Sequence, residues 1–384
     1  MMSSSPESRT PVAALESQLP SVLALLALAN LLRLLYRRSL RRLCSRQRGC
    51  RAATSRAPVR DPFVGLDFVY DSVLGRAEDR YLESSLADFR RLGPTFTVRR
   101  WSWEVMYTCD ARNIKHLLAG AFDDFALPRL RVSALGALLG RGIFTLDGPA
   151  WAHARSVLKP LLARLDREAV VGCAERHVQA MLRLVPADSD DIDLQPLFFR
   201  LTMDFAADYL MGGGGGGSAS MLGCAPSAAR ARAERFVDDY MACSREVVKK
   251  LRLGPLQHLR LSLSALRARR RVFRYVDDFV DDLLRRAGGA EAGHGRDVNV
   301  LTRLAAVTRD RRLLRDQVLH ILLASRDTTA STLSNLFFVL ARDPAAFRKL
   351  RDEVRAVAGQ RPPTAAQLKQ MEYLRWCVNE SPSP

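Results

Sequence analysis

The alternation of apolar and polar residues divides the chain into mostly helical elements. Residues 77–92, AEDRYLESSLADFRRL, carry apolar positions at helical intervals. TFTVRR (95–100) and WEVMYT (103–108) are short runs rich in β-branched and aromatic residues, and together they predict a hairpin. Helical spacing returns at 111–120, and from residue 150 onward nearly every apolar segment follows a helical period. The longest such segment, Gln317–Arg342, predicts a helix about 40 Å long at a rise of 1.5 Å per residue. A turn at DGP followed by a helix is predicted within 142–164, and a last helix over QLKQMEYLRWCVNE, 367–380, which Pro382 would end. The expected fold class is therefore mostly α with a small N-terminal β-sheet, and no internal repeat is visible.

Two stretches interrupt the pattern as loops: GGGGGGSAS at 212–220 and RRAGGAEAGHGRD at 285–297. GALLGRG at 136–142 looks superficially like a phosphate loop. No strand leads into it and no acidic partner follows at the required distance, so it is not read as one.

Ahead of these elements lies an apolar run, Val22–Tyr36, with an arginine cluster behind it. That order suits a membrane anchor whose following body stays cytosolic. Asn30 and Arg33 interrupt the run, and it is shorter than the roughly 20 residues of a full span. An amphipathic helix lying on the membrane surface is a second reading. A mitochondrial transit peptide is a third, weakened by Glu7 and Glu16. RAPVRDPF, 56–63, reads as a stiff linker. The division expected is an anchor and basic linker over 1–60 and a folded domain over 61–384.

The formal net charge is +18. Residues 37–60 hold nine arginines and no acid, so half the excess sits in one short segment. No zinc-finger spacing or aromatic RNA-binding motif accompanies it, which argues against a nucleic-acid partner. The seven cysteines (44, 50, 109, 173, 224, 243 and 377) are scattered, with no CxxC pair. Neither a disulfide framework nor a metal site is expected from their spacing.

Chemistry enters at ILLASRDTTASTL, 321–333, where Arg326, Asp327, Thr328 and Thr329 interrupt an apolar helix. A buried acid costs several kcal/mol (on the order of 3) unless it is paired or used, and an acid beside an alcohol makes a short proton path. A partly exposed face with an Arg326–Asp327 surface pair is the alternative. In GIFTLDGPAWAHARSVLKPLLAR, 142–164, Trp151 and Arg155 lie four apart on one helix face. An indole N–H and a guanidinium there suit a carboxylate.

Together these stretches resemble the cytochrome P450 family. LLASRDTTAST is similar to its oxygen-activating motif on a long central helix, and WAHAR to the motif whose tryptophan and arginine hold a haem propionate. NIKHLLAGAFDDF with LLGRGIFTLDGPAW is similar to the fungal microsomal alkane and fatty-acid ω-hydroxylases, and ARDPAAFRKLRDEV and MEYLRWCVNE resemble later helices of the family. The resemblance covers roughly residues 60–380. It implies a P450-like fold and haem b as cofactor, with O2 and electrons from NADPH through NADPH-cytochrome P450 reductase. It also implies a long-chain lipid substrate and an endoplasmic reticulum membrane location, N-terminally anchored with a cytosolic body. Thr328 would hydrogen-bond dioxygen and relay protons, Asp327 would supply them, Ala324 would face the haem, and Trp151 with Arg155 would grip a propionate.

Two departures from the family pattern carry expectations of their own. Ser325 stands where the central motif has glycine, and its hydroxyl can bond back to a helix carbonyl. Glu380 matches a family glutamate, but Ser383 occupies the position of its arginine partner, and no cysteine stands in the glycine-rich loop that supplies the iron thiolate. Cys377 precedes Glu380 and is not that ligand by position. The expectation is an incomplete domain lacking its C-terminal haem-thiolate part, inactive as a 384-residue chain and with apolar surface exposed. A membrane-anchored, lipid- or partner-binding pseudoenzyme is the alternative function.

Overall fold

The computed structural model describes residues 55–61, 81–101, 103–163, 165–186, 192–210, 227–288 and 300–381, with scattered positions over 28–47 and Gly65, Asp67 and Tyr70. The glycine-rich stretch at 212–220 and most of the apolar run at 22–36 fall outside them. Among the described residues no helix is long and apolar enough to cross a membrane. The chain divides into two compact units, residues 1–65 with 77–114, and residues 66–76 with 115–384.

Among its described residues the first unit includes the predicted hairpin and a helix over 81–92. Strands β1 (Ser55–Arg56), β2 (Thr95–Arg100) and β3 (Trp103–Thr108) form a sheet in that order, with β1 parallel to β2 and β2 antiparallel to β3. β2 buries three consecutive residues, Phe96, Thr97 and Val98. Phe89 of helix α1 (Tyr81–Leu92) packs edge-on against Phe96, and Tyr107 stacks on it across the hairpin.

The second unit is helical. After α2 (Ala111–Lys115), which straddles the two units, a π-helical turn, His116–Gly120, completes the helix predicted over 111–120. Then follow α3 (Arg129–Leu139), α4 (Gly148–Ala163), α5 (Arg167–Leu182), α6 (Gln195–Phe205), α7 (Ser227–Leu253), α8 (Leu263–Gly288), α9 (Val300–Val307), α10 (Arg311–Leu340), α11 (Pro344–Ala358), α12 (Ala365–Gln370) and α13 (Glu372–Glu380). The predicted long helix starts six residues early. Asp310 accepts the backbone N–H groups of Arg312 and Leu313 and so caps α10 at a position the apolar spacing alone does not mark. The last predicted helix is divided at Met371, where Glu353 of α11 accepts the N–H groups of Tyr373 and Leu374 at 2.8 Å each and starts α13 afresh.

Ion pairs read out how the long helices run. Arg232–Asp278 and Asp239–Arg271 show α7 and α8 to be antiparallel, and Asp277–Arg315 with Asp281–Arg311 show the same for α8 and α10. Between these helices Val272, Val276 and Val280 of α8 meet Leu314, Val318, Leu319 and Leu322 of α10 in the main core. On another side of α10, Ala330 packs with Phe198 and Leu201 of α6 and with Ala180 and Met181 of α5. The fully buried Ala330 presents only a methyl, which allows a close helix approach.

Candidate active site on the central helix

α10 changes character along its length. Leu314 and every residue from Asp316 to Leu322 are buried, whereas Ala324, Thr328 and Thr329 are exposed. The sequence reading placed an acid and an alcohol in the middle of a buried helix; the structure reverses that assignment. Arg326 is the buried polar group, 4% exposed, while Asp327 keeps 38% of its side chain in solvent. The predicted Arg326–Asp327 pair forms, with Nη1 donating to Oδ1 at 2.6 Å, but its cation is not on the surface.

A buried guanidinium persists only where its charge is met on several sides. Here Asp327 supplies the counter-charge, the Phe199 ring centroid lies 4.8 Å from the guanidinium carbon, and Met241 Sδ lies 3.0 Å from Nη1. The Arg326 carbonyl in turn accepts the Thr202 hydroxyl at 3.2 Å, which fixes α6 against this turn of α10. Next to it, Tyr240 has its hydroxyl buried, and burial, reinforced by Asp327, raises its pKa well above the usual tyrosine value.

Both small hydroxyls of the motif turn back onto the helix. Thr328 Oγ1 donates to the Ala324 carbonyl at 2.7 Å, and Ser325 Oγ donates to the Ile321 carbonyl at 2.8 Å, the backward bond expected for serine at this position. α10 is continuous α-helix through all of them. Thr328 and Ala324 therefore share one exposed face, one turn apart, with the accepting side of the Thr328 oxygen available.

Trp151 and Arg155 are brought together on α4, as their spacing predicted. The Arg155 guanidinium carbon lies 5.4 Å from the indole centroid, and Phe122 packs on the same indole at 5.1 Å. Arg155 is exposed. Asp147, just before α4, accepts the N–H groups of Gly148 and Leu127 and so ties the chain at 127 to the start of the helix. No hydrogen bond, ion pair or ring contact among the described residues joins this pair directly to Ala324, Asp327 or Thr328.

The two sets are linked by residues that sequence reasoning passed over. One turn apart on α10, Asp316 and His320 hold the turn that leads from α3 into α4. Arg141 N–H donates to Asp316 Oδ2 at 2.8 Å, and Phe144 N–H donates to His320 Nδ1 at 3.3 Å while the two rings stack. Accepting through Nδ1 requires the neutral imidazole, and burial pushes His320 down to about 4. Burial also raises the Asp316 carboxyl, against the lowering effect of the Arg141 N–H. The glycines of GALLGRG make this approach possible: a Cβ on Gly142 would come 2.5 Å from the His320 ring, and one on Gly140 would meet the Asp316 carboxylate at 2.2 Å. The signal for this latch was available as an acid and a histidine four apart in an apolar run, opposite a glycine-flanked arginine.

The other motif residues are placed by α13. Glu380 is exposed near its C-terminal end, and Cys377 packs beside Leu336, Leu340 and Leu350. Cys173 and Cys243 are buried within helices. None of the described cysteines lies in a glycine-rich loop.

A sequence profile for Cytochrome P450 matches residues 68–381. The chain is 37% identical over 332 residues to the cytochrome P450 monooxygenase himC of Aspergillus japonicus, covering 84% of this chain and 58% of that protein. It is 34% identical over 351 residues to the cytochrome P450 monooxygenase FPY7 of Fusarium mangiferae, covering 89% and 65%. Against cytochrome P450 52A4 of Candida maltosa it is 36% identical over 296 residues, covering 75% and 54%. The chain thus spans less than two thirds of the length of these curated relatives.

Proposed function

The chain belongs to the cytochrome P450 family, the haem-thiolate monooxygenases, and from that premise we propose that α10 and α4 are the oxygen-facing and propionate-holding parts of a hydroxylase of long-chain fatty acids or alkanes. The observation that carries the reading is the exposed Ala324–Thr328 face with Asp327 half-exposed beside it. A methyl and a hydroxyl one turn apart leave room for a flat ring, which a larger side chain at Ala324 would fill. Trp151 and Arg155 fit the same group, because the guanidinium is exposed and oriented by the indole for a carboxylate. Ala324 and Thr328 would lie against a haem and Trp151 with Arg155 would hold its propionate; among the described residues no cysteine stands in a glycine-rich loop to supply a thiolate. Haem, when bound, supplies the iron at which dioxygen is reduced with electrons from NADPH passed on by a reductase.

The chain's own residues then have separable tasks. Arg155 and Trp151 bind and orient a propionate. Thr328 accepts or donates a hydrogen bond at the exposed face, its hydroxyl proton exchanging the Ala324 carbonyl for a ligand. Asp327 is in contact with solvent and with Arg326, so it can take up a proton from water and deliver it one residue away at Thr328. Arg326 holds that carboxylate in place through the Nη1–Oδ1 bond.

Residues 254–262, between α7 and α8, and Leu263 at the start of α8 support a membrane setting. Leu256, Leu259, Leu261 and Leu263 are all exposed there, Leu261 at 84%, a density of solvent-facing leucines that suits a lipid surface. With the N-terminal run and its arginines, this favours the endoplasmic reticulum membrane with the body in the cytosol.

The test is turnover of a long-chain fatty acid in membranes holding the protein and an NADPH-dependent reductase. Thr328→Ala should lower product formed per NADPH consumed, on the order of 10²-fold, with haem content unchanged. A Thr328→Ala protein that couples NADPH to product as well as wild type would refute the assignment of Thr328. Lack of any long-chain hydroxylation by a haem-loaded wild type would refute the substrate class.

A further inference from the structure

Away from the α10 face, α5 presents Cys173 and His177 one helical turn apart, and Asp208, from the π-helical segment Ala206–Leu210 that follows α6, reaches between them. Cys173 Sγ lies 3.4 Å and His177 Nε2 lies 3.0 Å from the same oxygen, Asp208 Oδ2. One donor atom from each residue lies within 4.8 Å of the other two. We propose that Cys173, His177 and Asp208 bind a single soft divalent cation, with Zn(II) the best fit.

The geometry is close to what such an ion needs. With Zn–S of about 2.3 Å and Zn–N or Zn–O of about 2.0–2.1 Å, tetrahedral coordination sets donor separations of roughly 3.3–3.6 Å. The two separations to Asp208 are already within a few tenths of an ångström of that range. The thiol and imidazole would close by about 1.2 Å at most, a movement two side chains on adjacent turns can make by small χ rotations. Sulfur, imidazole and carboxylate are a donor set for zinc rather than for magnesium or calcium, which take oxygen. Three protein ligands leave the fourth position for water.

Charge and protons balance. Binding releases the Cys173 thiol proton to solvent and moves the His177 proton from Nε2 to Nδ1. Thiolate and carboxylate then offset the two positive charges of the ion. Arg176 Nη2, 3.0 Å from Asp208 Oδ2, keeps its bond to the carboxylate as an outer partner that orients it. The π-helical turn has a role here, since such turns re-aim side chains and recur at functional sites. An ion at this place would fasten α5 to the end of α6, the helix whose Thr202 holds the Arg326 carbonyl.

The test uses the full chain with Cys44, Cys50, Cys109, Cys224 and Cys377 replaced by serine, which leaves Cys173 and the buried Cys243. Equilibrium dialysis against Zn(II) should find one tight ion, and Co(II) should give a thiolate charge-transfer band in the near ultraviolet. Cys173→Ser and His177→Gln in that background should each weaken Zn(II) at least about tenfold and remove or shift the cobalt band, whereas Cys243→Ser should leave both unchanged. Equal Zn(II) binding in parent, Cys173→Ser and His177→Gln would overturn the proposal as surface binding only. Circular dichroism monitors the fold of each variant. Should Cys173→Ser fail to fold, the parent alone decides: no cobalt–thiolate band and no rise in its melting temperature with Zn(II) would also overturn it.

Discussion

Gly140 stands at the C-terminal end of α3 with φ +68° and ψ −138°, a conformation that side-chain-bearing residues rarely adopt. An alanine there meets two separate penalties. The backbone strain amounts to about 1–3 kcal/mol. The added Cβ would also sit 2.2 Å from Cγ and both oxygens of Asp316, so the carboxylate must move. It has nowhere open to go, being 3% exposed on the most buried stretch of α10. Moving it gives up the hydrogen bond from Arg141 N–H, a charge-assisted bond of about 1.5–3 kcal/mol. Gly140→Ala should therefore cost about 3–5 kcal/mol, a large share of a typical stability of about 5–15 kcal/mol. In an Asp316→Ala background the clash and the hydrogen bond are both gone, and the same substitution should cost only the backbone part. Urea titration followed by far-ultraviolet circular dichroism measures all four corners of this cycle, with midpoints shifting at unchanged slope. A loss below about 1 kcal/mol in the native background, or equal losses in the two backgrounds, would refute the latch as the reason for this glycine.

His320 should make stability pH-dependent in a defined direction. Its folded value, about 4, lies below the ordinary histidine value of 6.5. Between those values the unfolded chain binds the extra proton, so stability is complete above pH 6.5 and falls as pH drops toward 4, by about 3 kcal/mol in total. Asp316, one turn away with Arg141, Arg312 and Arg315 around it, acts in the opposite sense because its carboxyl is raised. The His320 contribution is therefore read as the difference between wild type and His320→Gln, and a difference flat from pH 7 to 4 would contradict the assignment. At the polar cluster, Asp327→Asn should destabilise more than Arg326→Met. The first leaves a buried guanidinium without its counter-charge, worth about 3 kcal/mol less what solvent supplies at the half-exposed carboxylate. The second replaces a buried cation by an apolar chain against Phe199 and Met241. Chemical denaturation of the two variants decides the order, and the reverse order would place the burial cost on the wrong partner.

Most elements were legible from apolar spacing, because helices that bury one stripe write that stripe into the sequence. The hairpin, α4 with its Trp151–Arg155 pair and the body of α10 follow from local pattern alone. What pattern could not give was set by contacts across the chain. The break at Met371 depends on Glu353, twenty residues earlier, which accepts the new helix's N–H groups. The burial of Arg326 and exposure of Thr328 depend on where α6 and α7 lie, since apolar neighbours on both sides of a polar run do not say which polar residue faces inward. The Cys173–His177 spacing was present in the sequence, but its third partner lies 31 residues beyond His177 on a π-helical turn that spacing does not predict.

The placement of two polar clusters on one helix has a physical consequence for the site. Asp316 and His320 fix the turn that begins α4, and Thr328 lies twelve residues after Asp316, about 18 Å along the same α-helix. α10 is one continuous helix whose buried stretch, Asp316–Leu322, runs on into the exposed Thr328 face, so α4 and that face are both positioned against one rod. Substitutions at Gly140 or Gly142 should accordingly displace Trp151 and Arg155 while leaving the Ala324–Thr328 face intact. Substitutions at Arg326 should disturb that face and leave the turn before α4 in place. The glycines and the buried acid of the latch thus belong to the architecture of the site although neither reaches its exposed face.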